Sequence, residues 1–238
     1  MVKALGSNLR QALGPRFWGA VLLFGCLMFL TSIETVLLIV PSRIPVETGY
    51  HLTFLVFGLT STSTAGWLPI LATLPFSAGY VEDLKSKFVR YFCFRSGWKI
   101  YSFSKILACF LSGVLMAAAG TAFSWMISFL LFQPLEQGVG FPPNELWQNF
   151  ATLWLYCGLW ATVGMLLSVW MESRYIAYAA PFVVCYLLVI LHERYFPTLT
   201  ILSPKHWLSE GQLLLMTVIT LGAMVLFIIS SKRRLREI

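Results

Sequence analysis

Charge is what this sequence has least of. Among its 238 residues only 11% are charged, while 58% are hydrophobic and the mean hydropathy is +0.77. Soluble domains carry about 25% charged and roughly 45–50% apolar residues, so a water-soluble globule is excluded. The cysteines form an odd set of five. Cys26, Cys109, Cys157 and Cys185 lie in apolar runs and Cys93 in a polar loop. That pattern excludes an extracellular disulfide framework and leaves packing as their role. Histidine is scarcer still, with His51, His192 and His206 all falling between apolar runs. No intramembrane Ser/His or His/Asp set can be assembled from them. His206 and Glu210 share a helical spacing, but two ligands fall short of the three or four that zinc uses, so no metal site is expected. The chain also lacks a G-x-x-x-x-G-K-[ST] loop and any strand-loop-helix context for one, so it cannot itself grip ATP phosphates. No repeat, low-complexity tract or linker divides it, and residues 1–238 read as a single transmembrane domain.

What is present is long apolar runs. Nearly charge-free stretches cover 17–40, 52–74, 106–132, 150–171, 176–191 and 213–230. A helix needs about 20 residues to cross ~30 Å of hydrocarbon, so the fold class is an all-α polytopic membrane protein with six transmembrane helices. The fifth run is short. The half-apolar stretch after it is broken by Pro197 and Pro204 and reads as a re-entrant segment before the last helix, packed against protein or lining an aqueous cavity.

Lys and Arg set the orientation. With the N-terminus inside, Arg43, Arg194 and Lys205 are the only ones of the 17 left outside. Both termini are then cytoplasmic, and the +7 net charge becomes a basic rim facing anionic lipid. Nucleic-acid binding is a poor explanation, because these residues sit at membrane borders. The first run is too long for a secretory signal and lacks a small-residue cleavage site, so it is read as a retained span. Before it, Val2, Leu5, Leu9 and Leu13 recur at helical spacing beside Lys3 and Arg10. That pattern predicts an interfacial helix over 1–16, ended near Gly14 and Pro15; a frayed tail is the alternative.

Between the second and third runs, Val81, Leu84, Phe88 and Tyr91 recur at intervals of three and four, with Glu82, Asp83, Lys85, Lys87 and Arg90 on the other face. The spacing predicts one amphipathic helix over about 80–91, with Asp83 and Lys87 paired at i,i+4 and the two acids in its first turn. It either rests on the lipid headgroups or receives force from a soluble partner.

Six spans, a surface helix, the acid-led loop "SAGYVEDLKSKFVRY" and a broken segment before the last span together resemble the permease subunits of bacterial ATP-binding-cassette exporters of the type-two permease family. The resemblance covers nearly the whole chain as architecture, and only 75–95 as local sequence. It implies that the loop is a cytoplasmic coupling helix, with Glu82, Asp83, Lys85, Lys87, Phe88 and Arg90 docking on a nucleotide-binding ATPase subunit. It further implies that ATP and magnesium belong to that partner, with no cofactor on this chain. A second permease chain, identical or homologous, and a place in the bacterial inner membrane follow too. The expected role is export of a small or amphipathic substrate. Two other readings stand beside it: a non-transporting immunity or sensor protein of the same fold, and, on weaker grounds, an intramembrane enzyme.

Within the spans, Glu34 is the embedded acid, and ionisable groups at depth usually face protein or water. It either lines a pathway or reaches the outer interface. Thr60, Ser61, Thr62, Ser63 and Thr64 either line a polar route or bond their own backbone. Ala117, Ala118, Ala119 and Gly120 read as close helix packing. Trp18, Trp98, Trp147 and Trp207 read as interface anchors.

Overall fold

The computed structural model describes residues 2–42, 45–46, 48–86, 88–136, 145–209 and 212–236. Helices and short turns account for the ordered elements among them. The chain opens with α1 (Val2–Ala12), α2 (Pro15–Thr31) and α3 (Ile33–Ser42), then α4 (Tyr50–Thr60) and α5 (Thr62–Thr73). Two short helices follow, α6 (Gly79–Lys85) and α7 (Phe88–Ser96), before the long α8 (Trp98–Phe132) and α9 (Glu145–Met171). The last third holds α10 (Arg174–Ile190), α11 (Pro204–Ser209) and α12 (Leu213–Arg236). Among the described residues four helical segments are long and apolar enough to cross a membrane, or up to six if each of two bent pairs counts as one span: Lys3–Ala12 with Pro15–Thr31, bent by 54°, and Tyr50–Thr60 with Ser63–Thr73.

Both predicted early spans are broken. The run 17–40 divides at Ser32, whose backbone leaves the helical region at φ −124°, and the Thr31 hydroxyl donates to the Met28 carbonyl just before the break. The run 52–74 bends by 76° between α4 and α5. Here Ser61 is extended, and its hydroxyl accepts from the Thr64 amide at 3.2 Å, capping α5. Thr64 turns its own hydroxyl back to the Gly58 carbonyl at 2.6 Å, so the hydroxyl run supplies the backbone partners that a broken helix needs. Downstream, Pro69 lies inside α5 and cannot bond the carbonyl four residues earlier. That carbonyl, on Ala65, accepts instead from the Tyr156 hydroxyl at 3.0 Å, which pins α5 to α9.

The predicted helix over 80–91 is two helices, α6 and α7, and the third span begins at Trp98 instead of residue 106. Gly97 makes the corner between α7 and α8 at φ +77°, a conformation in which a Cβ is strained. At ~1.5 Å per residue α8 runs about 50 Å, well beyond a hydrocarbon core. The fifth span is not short: its helix continues through a π turn at Leu191–Tyr195, giving 22 residues over Arg174–Tyr195. The stretch read as re-entrant folds as that turn, a 3-10 turn at Thr200–Leu202 and α11, with Trp207 and Leu208 buried.

Helix α9 is the axis of the structure. Its apolar window is 72% buried, against 17% for the span containing α10 and 22% for α12, because α5, α8, α10 and α12 all pack on it. Close approach requires glycine. A Cβ on Gly164 would lie 2.6 Å from the Ala177 carbonyl, and one on Gly113 would lie 2.8 Å from the Cys157 carbonyl. At one pole α1 packs on the base of α8, and the Ser231 hydroxyl of α12 donates to Ser102 of α8 at 2.9 Å.

Candidate functional site

The pole that holds α1, α6, α7, the base of α8 and the end of α12 concentrates buried polar chemistry. Helix α6 leaves the α5 end through Ser77, whose hydroxyl donates to the Ala161 carbonyl of α9 at 3.0 Å. This anchorage turns Asp83 inward. Its carboxylate accepts from Tyr101 Oη at 2.8 Å and from Lys105 Nζ at 2.7 Å, both on α8. The Lys105 side chain is 1% exposed, and its ammonium also lies 4.6 Å from the Phe76 ring centre, a favourable cation–π position. Nearby, Asn8 of α1 donates to Ser104 at 3.2 Å. Tyr80 packs edge-on against Phe227, and burial pushes its phenol well above the usual tyrosine range. A buried charge is tolerated when paired and hydrogen-bonded, and three helices contribute to this network.

Glu82 sits on the adjacent side of α6. Arg16 Nη1 donates to its carboxylate at 2.9 Å and to the Tyr178 hydroxyl at 3.4 Å. These side chains border a cavity of about 190 Å³ beneath Gly14, Pro15 and Gly79.

The predicted two-faced helix is therefore corrected in part. Asp83 faces α8 and pairs with Lys105; Lys87, its expected partner, lies outside the described residues. Phe88 and Tyr91, on the apolar stripe of the predicted helix, are exposed, as is Lys85, while Arg90 lies on α7. The reason is the break after Lys85: a new helix starts with its own rotation, so the spacing of three and four is not carried across. The α1 stripe also turns inward, with Leu5, Leu9 and Ala12 against the protein and Leu13 exposed.

The opposite pole has a second buried pair that sequence reasoning missed. Glu136 accepts from the His51 ring at 2.7 Å, from the His51 amide at 2.8 Å and from the Gly49 amide at 3.3 Å. Gly49, at the start of α4, has no side chain to cap the helix, so a carboxylate from beyond α8 does it. Burial raises the Glu136 pKa, but the amides and the ring outweigh it, and the net shift is downward from the ordinary 4.5. The connection is tied again where the Val46 amide bonds the Leu135 carbonyl at 3.1 Å.

Glu34 sits in the first turn of α3 and is exposed on the single chain. Thr60 donates to Val56, Ser61 and Thr64 build the break, Thr62 opens α5, and Ser63 is exposed. The His192 and His206 rings lie 5.4 Å apart beside the Glu193–Lys205 ion pair. Among the described residues no group of three or more His, Cys, Asp or Glu is placed to hold a metal ion. A lysine followed at once by an apolar run was the available signal for Lys105. Nothing local marked Glu136 as the partner of His51. No family model, no curated protein and no solved structure matches the chain.

Proposed function

We propose that this chain is the membrane-spanning permease subunit of an ATP-binding-cassette exporter, working with a separate ATPase subunit and a second permease chain. On this reading the basic pole faces the cytoplasm of a bacterial inner membrane, and the segment before α12 re-enters the bilayer. ATP and magnesium are handled by the partner, and the cargo is small or amphipathic.

The observation that carries the reading is a braced pair of short helices with an exposed face. Asp83 ties α6 to the interior of α8 through Lys105 and Tyr101, while Lys85, Phe88 and Tyr91 remain exposed. A load received on that surface passes to α8, and through α8 to α9. Exposed aromatics of this kind are preferred anchors at protein interfaces. The acids assigned to docking are engaged within the chain: Glu82 by Arg16 and Asp83 by Lys105. Docking therefore falls to Lys85, Phe88 and Tyr91, and Asp83 acts as a brace.

Affinity purification of the tagged chain from its native membrane tests this. A nucleotide-binding subunit should be retained, and Phe88→Ala with Tyr91→Ala should reduce its retention by at least about tenfold while membrane insertion is unchanged. Recovery of the wild-type chain without any nucleotide-binding subunit sinks the proposal.

A further inference from the structure

A second cavity lies between α5, α10 and α11. Gly66, Phe182, Tyr186, Val189, Glu193 and Lys205 line it, and its volume is about 250 Å³. Most of the wall is apolar. Its polar edge is the Glu193–Lys205 ion pair, 2.7 Å apart and partly exposed. A Cβ built on Gly66 meets nothing within 4 Å, so a glycine in the second turn of α5 leaves the space open. The α10 wall belongs to the span that is only 17% buried, so the cavity is reached sideways from whatever surrounds the helices.

We propose that this cavity binds one acyl chain of a zwitterionic phospholipid, with the phosphate at Lys205 and the ammonium at Glu193. The cavity is open at its side, so a chain need place only part of its length in the roughly 250 Å³, along the apolar wall of Phe182, Tyr186 and Val189. Charge selects the headgroup. A purely anionic head would meet the Glu193 carboxylate and a purely cationic one the Lys205 ammonium, whereas a phosphoethanolamine head matches both signs at once. The site depends on no transport step, so it stands or falls apart from the exporter reading.

The probe is palmitoyl lysophosphatidylethanolamine added to the detergent-purified full chain and followed by native mass spectrometry. One lipid per chain is expected. Gly66→Trp, which fills the open space, should weaken binding by at least about tenfold through lost apolar burial. Lys205→Gln should weaken it about threefold, as fits a partly exposed charge contact. Wild-type binding by Gly66→Trp, or equal affinity for an uncharged monoacylglycerol, overturns the proposal. A photoreactive diazirine in the acyl tail gives a readout free of any variant. Crosslinks within 65–66, 182–193 and 204–205 support the site, and crosslinks confined to other segments overturn it.

Discussion

The two poles each bury an acid beside a base, yet the acids do different jobs. Asp83 takes its bonds from side chains, Tyr101 and Lys105, and so joins one helix to the inside of another. Glu136 takes two of its bonds from backbone amides and so finishes the start of α4. A side-chain pair can be exchanged for apolar packing, since both partners leave together. A carboxylate serving backbone amides cannot, because the amides stay behind and must still be satisfied.

Lys105→Met should have the largest effect. It strands a buried carboxylate, and about 3–5 kcal/mol of stability is expected to go, read as a lower unfolding midpoint in mixed micelles. Replacing the whole set, Asp83→Leu with Lys105→Met and Tyr101→Phe, should recover most of that loss. The matched replacement at the other pole, His51→Phe with Glu136→Leu, should recover little relative to Glu136→Leu alone. Equal recovery at both poles would break the distinction.

Glu136→Gln should cost about 1.5–3 kcal/mol, the range for hydrogen bonds to a charged group. Amide hydrogen exchange should rise in the first turn of α4 and remain unchanged in α6. The pH dependence is smaller and has a definite sign. Because the Glu136 pKa is lowered in the folded state, its contribution is complete above the ordinary value of 4.5 and is lost as pH falls through the lowered one. The wild-type unfolding temperature should fall across that window more steeply than that of Glu136→Gln; parallel curves would remove Glu136 as the cause. Tyr101→Phe alone should be the mildest change, about 1 kcal/mol, because Lys105 still satisfies Asp83.

The reach of sequence reasoning differed between the runs. The apolar stretches for α9 and α12 were legible because lipid-like burial depends on summed hydropathy, which is local. The break at Ser61 was partly legible: Thr60 to Thr64 were noted as backbone-bonding hydroxyls, though the 76° bend required knowing that they all act at one point. The 80–91 helix was misread where α6 stops at Lys85. Periodicity assumes one continuous helix, and Phe88 and Tyr91 belong to the next. At the candidate docking surface, Lys85 and Phe88 are exposed. Asp83 was placed outside because a charge is assigned to solvent unless its buried partner is known.

Composition and the spacing of apolar residues determined by themselves that this chain is a helical membrane protein with its basic residues gathered near helix ends, because transfer from water adds residue by residue along the chain. Tertiary structure alone decided that Asp83 points inward to Lys105, 22 positions away, and that Glu136 caps a helix through His51, 85 positions earlier. The partner of a buried charge is set by which helices touch, and contacts between helices depend on bends and close approaches that no local pattern encodes.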